Sequence, residues 1–162
     1  MPLTPSLAEK VELYRLSLQQ IQAAITAETD SMAVMSSVVC VLKTNLPHFF
    51  WVGFYRVDQE KGNELVVGPY QGTFGCLRIP FGKGVCGLCA EKELPVIVPN
   101  VNDFEDHIAC DSRSKSEIVL PVYDRKGKLC AVFDVDATEL DAFADEDCEG
   151  LEAILEAIRD KL

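Results

Sequence analysis

Cys76, Cys86 and Cys89 fall within one glycine-rich segment, GPYQGTFGCLRIPFGKGVCGLCA, and Cys110 within a second, HIACDSRSKSEIVLPV. The carboxylate pair of FDVDAT, Asp134 and Asp136, follows. A thiol becomes a nucleophile when it ionises, and a carboxyl that keeps its proton can deliver it to a leaving oxygen. Loop cysteines near acids point to thiol redox chemistry. Cys110 stands seven residues before Glu117, at the end of a long loop, so the thiol and the acids are expected as neighbours.

Other patterns in these segments carry less. Gly82, Gly84 and Gly87 match G-x-G-x-x-G, but no βαβ unit surrounds them, as a dinucleotide site requires. Cys86 and Cys89 form a C-x-x-C in mid-chain, not at the start of a long helix after the first strand as in a thioredoxin. A zinc site from Cys86, Cys89, His107 and Cys110 has suitable ligand types but lacks the compact turns of zinc ribbons. Cys40 and Cys148 lie on helical patterns and Cys130 in a strand, where free cysteine packs as a small hydrophobe.

The elements that position these residues follow from periodicity. Leu7, Val11, Tyr14, Leu18, Ile21 and Ile25 recur at helical spacing over residues 6–28, and Asp30 with Ser31 caps a second helix through Val34, Val38, Val41 and Leu42 that ends at Pro47. FFWVGFYRVD and ELVVGPY read as a hairpin, and a short strand is expected from Cys76 to Ile79. GKGVCGLCAEKE opens a short helix, PVIVPN is a strand, and a loop runs from Asn100 to about Lys115. SEIVLPVY and KLCAVFDVD form a second hairpin before a last helix holding Phe143, Leu151, Ile154, Leu155 and Ile158 inside. The order predicts an α+β fold, a mostly antiparallel sheet with helices packed on its faces.

The second hairpin sharpens the chemistry. With a four-residue loop Tyr123 faces Lys128 and Glu117 lies opposite Asp134; a two-residue loop would place Glu117 opposite Asp136. Both registers keep Glu117, Asp134 and Asp136 on one face, because side chains alternate with period two. Like charges so placed repel, so the cluster needs a shared proton, a cation or a ligand to serve, unless it is a strand edge open to water.

Composition sets the outer bounds. With 162 residues and 48% apolar content, the chain has one domain's worth of core, expected over residues 1–162. A formal net charge of -11 argues against nucleic acid and anionic membranes as partners. No basic leader precedes an apolar run, and the stretch from Met32 to Leu42 is too short to span a bilayer. Seven cysteines, an odd number, fit thiols in a reducing compartment, so a cytoplasmic location is expected.

Taken together, WVGFY, GPYQGTFGCLRIPFGKGVCG, HIACDSRSKSEIVLPV and FDVDAT, in order across residues 51–137, resemble the free methionine-(R)-sulfoxide reductases, a family of single GAF domains. The resemblance implies a GAF-like fold with a six-stranded sheet and a cytosolic enzyme that reduces the R epimer of free methionine sulfoxide. Its electrons would come from a thioredoxin-like dithiol with no other cofactor or metal, and a homodimer is common in the family. Matched by motif, Cys110 would attack the sulfoxide sulfur and be left as a sulfenic acid, Cys76 would resolve it as a disulfide, and Cys86 would support or substitute for Cys76. Cys89 departs from the family pattern and leaves a Cys86–Cys89 exchange open.

The family's acids correspond to Glu117, Asp134 and Asp136, the residues that the hairpin brings together. One would hold a proton for the sulfoxide oxygen and another would receive the substrate ammonium. Trp51 and Tyr55, on one face of a strand, would wall the methyl end, with Ile108 and Ala109 of HIACDS also touching substrate. A non-catalytic GAF sensor of a small ligand or of redox state is the alternative, and such a sensor would signal through a separate partner.

Overall fold

The computed structural model describes residues 4–108 and 110–162. Helix α1, Leu7–Ile25, starts at a capping box: the Ser6 hydroxyl accepts from the Glu9 N–H, and the Glu9 carboxylate accepts from the Ser6 N–H. Asp30 caps α2, Ser31–Asn45, by accepting the Ala33 N–H at 3.0 Å. The sheet comprises β1 (Trp51–Val57), β2 (Glu64–Gln71), β3 (Arg78–Pro80), β4 (Val96–Val98), β5 (Ser116–Tyr123) and β6 (Leu129–Ala137). Helix α3, Gly84–Lys92, intervenes between β3 and β4, and α4, Asp145–Ile158, follows β6.

The strand order is β3-β2-β1-β6-β5-β4, and every neighbouring pair is antiparallel. Alternation along β1 divides the molecule. Val52 and Phe54 point into the larger core with Ile118, Leu120, Phe133 and Val135, under α1, α2 and α4. Trp51 and Tyr55 point to the other face, with Val119, Val132 and the buried side of α3. No helix is long and apolar enough to cross a membrane among the described residues.

Four details differ from expectation. Leu7 and Val11 stand in solvent at 49% and 55% exposure, and the inward stripe of α1 is Lys10, Tyr14, Ser17, Ile21 and Ile25. Polar residues occupy that stripe because they have buried partners: Lys10 Nζ reaches the Asp147 carboxylate at 2.7 Å and the Ala142 carbonyl at 2.6 Å, and the Tyr14 hydroxyl donates to Asp147 at 2.7 Å. Cys76 precedes β3, which begins at Arg78. Phe143 is buried in the lead-in to α4, ahead of its first turn.

The β5–β6 register is the fourth difference. Tyr123 lies opposite Leu129, not Lys128, while Glu117 lies opposite Asp136, the second of the two registers expected. The Asp124 carboxylate accepts the N–H groups of Lys126 and Lys128, which closes the turn, and a shift between Val122 and Tyr123 restores the pairing further along.

Candidate active site

Three strands converge on the second face. Asp136 sits opposite both Glu117 of β5 and Trp51 of β1, and Asp134 opposite Val119 and Gly53. Glu117 and Asp134 are 5% and 6% exposed. With Ser114, Cys86, Tyr55, Cys110 and Asp111 they line a cavity of about 40 Å³ between the sheet, the start of α3 and the loop that precedes β5. The alternative of a solvated strand edge is therefore set aside.

Burial raises all three carboxyls well above the ordinary range, Glu117 further through the charge of Asp136, Asp134 through Glu117, and Asp136 through Asp134. Asp134 and Glu117 share a hydrogen bond, which requires a proton on one of them. The Asp134 Oδ1 atom is buried without a partner, an acceptor position open to a ligand. His107 Nε2 lies 3.3 Å from Glu117 Oε2, and partial burial lowers the imidazole pKa, so the ring favours its neutral form.

Above the acids, Trp51 stacks on Tyr55 with centroids 5.6 Å apart and on Tyr70 at 5.1 Å. The Trp51 indole N–H donates to the Thr73 carbonyl at 2.9 Å, so its polar edge is satisfied while its ring walls the cavity. Gly75 lets the loop cross this pair closely: a Cβ there would come within 2.9 Å of both Trp51 and the Tyr55 hydroxyl.

Cys76 and Cys110 form a disulfide with Cα atoms 5.8 Å apart, across the rim of the cavity. Cys110 is exposed and Cys76 half-buried. The adjoining loop is held by Asp111, which accepts from Thr73 Oγ1 at 2.8 Å and pairs with Arg113 at 2.8 Å, while Arg113 lies 4.9 Å from the Phe50 ring centroid. Those hydrogen bonds, the Arg113 side chain first, keep the Asp111 carboxyl far below the usual carboxylate range. Cys86 and Cys89 are free and buried, and burial pushes both thiols up, so neither presents a ready nucleophile.

Every expected residue except one is thus brought to this face. Ile108 borders the cavity and packs against Gly84; Ala109 lies outside the described residues. The zinc set does not assemble, because the Cys110 sulfur is bonded to Cys76. The acid cluster does bring Cys86, Glu117 and Asp134 donors within 4.8 Å of one another, but hydrogen-bonded carboxyls with raised pKa values favour protons over a cation. Gly82, Gly84 and Gly87 shape the turn into α3, where a Cβ on Gly87 would meet the Pro80 carbonyl at 2.5 Å.

Sequence reasoning passed over Asp111 and Ser114, and considered His107 only as a zinc ligand. Asp111 had a readable signal, since it is adjacent to Cys110, and Arg113 two residues on offers a partner. The contacts of His107 with Glu117 and of Ser114 with Asp136 carry none, because only the folded loop makes them.

Comparison with known proteins agrees with this geometry. The GAF domain model matches residues 17–159. GAF domain-containing protein A of Dictyostelium discoideum is 45% identical over 94% of this chain and 94% of its own. The free methionine-R-sulfoxide reductase of Escherichia coli strain K12 is 36% identical over 90% of this chain and 86% of its own. The crystal structure of free methionine-R-sulfoxide reductase from Neisseria meningitidis in complex with its substrate superposes with a TM-score of 0.88 at 41% identity, covering 94% of this chain and 89% of that one. The chain therefore belongs to the GAF domain family and, within it, to the free methionine-R-sulfoxide reductases.

Proposed function

We propose that this protein reduces free L-methionine-(R)-S-oxide to methionine, with Cys110 as the attacking thiolate. The observation that carries the reading is the Cys76–Cys110 disulfide at the rim of a cavity lined by three carboxyls, those of Glu117 and Asp134 buried. In the reduced protein the Cys110 thiolate attacks the sulfoxide sulfur while the acid cluster protonates the oxygen. The oxygen passes to Cys110, which becomes a sulfenic acid, and methionine leaves with its sulfur reduced by two electrons. Cys76 then attacks the sulfenic sulfur, expels water and closes the disulfide. A thioredoxin-like dithiol returns the two electrons in the cytoplasm, and no bound cofactor is needed.

The remaining residues bind and orient. Trp51 and Tyr55 enclose the methyl end, with Ile108 and Ala109 contributing from the loop, and Asp136 or Glu117, once ionised, receives the ammonium. Cys86, beside Asp134, steadies the shared proton rather than exchanging sulfur, as its buried, neutral thiol suits. A cavity this narrow admits a single amino acid more readily than a polypeptide.

The test offers reduced protein free methionine-R-sulfoxide, the S epimer and an R-sulfoxide peptide with a small dithiol, and follows methionine release. Turnover on the free R epimer alone supports the proposal. Activity on none of the three removes it and returns the protein to the ligand-sensing GAF domains. Cys110→Ser should be inactive, and Cys76→Ser should give a burst of one methionine per site with slow recycling.

A further inference from the structure

Among the described residues, the most exposed large apolar side chains sit beside the disulfide. Phe74 is 89% exposed and Leu77 72%, two residues before and one after Cys76, and Ile108 is 37% exposed, two residues before Cys110. A scattered exposed leucine needs no explanation, but apolar side chains gathered at a redox-active bond do. Two nearby cations are paired: Arg78 with Asp58 and Glu64, and Arg113 with Asp111. In a chain of net charge -11, Phe74, Leu77 and Ile108 stand out as an apolar group at the disulfide.

We propose that Phe74 and Leu77, with the outer edge of Ile108, form the docking surface for a protein that carries a C-x-x-C dithiol, a proposal that rests on the reductase reading above. The disulfide fixes the occupant, because whatever lands here must bring a thiolate in line with the S–S bond. A small thiol has no use for an apolar frame; a protein gains from it both affinity and the alignment of its attacking sulfur. The partner's thiolate attacks one sulfur of Cys76–Cys110, that bond breaks, a mixed disulfide forms, and the other cysteine leaves as a thiolate. The partner's second thiol, after losing its proton to the medium, attacks the partner's sulfur in the mixed bond. The chain departs with both cysteines reduced, and the partner keeps the new disulfide.

Leu77 tests this cleanly, since its side chain points into solvent and stands outside the cavity. Wild type and Leu77→Asp are compared with thioredoxin and its reducing system as protein dithiol, and with dithiothreitol as small dithiol. The expected result is a KM for thioredoxin raised about tenfold, the worth of one buried leucine, with the dithiothreitol rate within twofold of wild type. Thioredoxin lacking its second cysteine should also form the mixed disulfide with oxidised Leu77→Asp about tenfold more slowly. Equal loss with both reductants would make the patch part of the substrate pocket and overturn the proposal. Unchanged kinetics would do the same, and a changed sedimentation coefficient alongside would name a second copy as the occupant. Failure of the reductase reading looks different: wild type then releases no methionine with either reductant, while mixed-disulfide trapping still reports on the patch.

Discussion

Glu117, Asp134 and Asp136 keep protons in the folded chain that an unfolded chain surrenders near pH ~4, because burial and mutual repulsion raise each of them. The stability gained from this proton retention is complete below about pH 4 and is lost as pH rises through the raised folded values. Glu117→Gln cannot ionise, so its melting temperature should gain on wild type between pH 5 and pH 8, by roughly 2–4 °C for each kcal/mol relieved in a chain of this size. Calorimetry at the two pH values checks this, and a constant difference would show that Glu117 is not strained by its charge. The same change should lower kcat by about 10²–10⁴ if the cluster delivers the proton to the sulfoxide oxygen. These three acids were legible in advance because strand alternation is insensitive to an even register shift, so even a misjudged turn left them together. The loop contacts of His107 and Ser114 depend on no period and could not be read that way.

At the scale of elements, hydrophobic spacing located all four helices but misplaced the buried stripe of α1. The cause is the Lys10–Asp147–Tyr14 network that joins α1 to α4, which no apolar count detects. Its partners are 3% exposed or less, so removing one leaves an uncompensated charge in the core. Lys10→Met should cost about 3–5 kcal/mol, and Lys10→Met with Asp147→Asn should recover most of it, since asparagine still accepts from Tyr14 and carries no charge. Urea unfolding of both variants checks the pair; equal losses in single and double variants would mean that the lysine acts through packing instead. The ends of β3 were also displaced by one or two residues, where a three-residue strand gives alternation too little length to fix a boundary.

Across the whole molecule, the disulfide and the buried histidine act at opposite ends of the conditions that the protein meets. Cys76–Cys110 closes a sequence separation of 34 residues, so reduction should lower stability by about 2–4 kcal/mol and the melting temperature by roughly 5–15 °C. Scanning calorimetry with and without a phosphine reductant measures it, and no shift would show that the loops are held as firmly without the bond. His48, 5% exposed with both ring nitrogens lacking a partner, has its pKa lowered to about 4 by burial and then by the nearby Lys10 charge. The stability that it carries is present above its unfolded value near ~6.5 and is lost as pH falls toward 4, so His48→Phe should lessen acid sensitivity, read from unfolding midpoints at pH 7 and 4.5.

The division of the molecule by its sheet has one more consequence. One face is sealed by α1, α2 and α4 over a continuous core; the other carries only α3 and loops. The two sides can therefore open at different free energies. Amides of residues 101–108 and 110–115 should exchange with deuterated solvent long before those of β1 and β6, and sooner still once the bond between Cys76 and Cys110 is reduced. The proposed cycle makes and breaks that bond, so under it the loop side would loosen and tighten once per turnover against a scaffold whose slowest amides never exchange on that timescale.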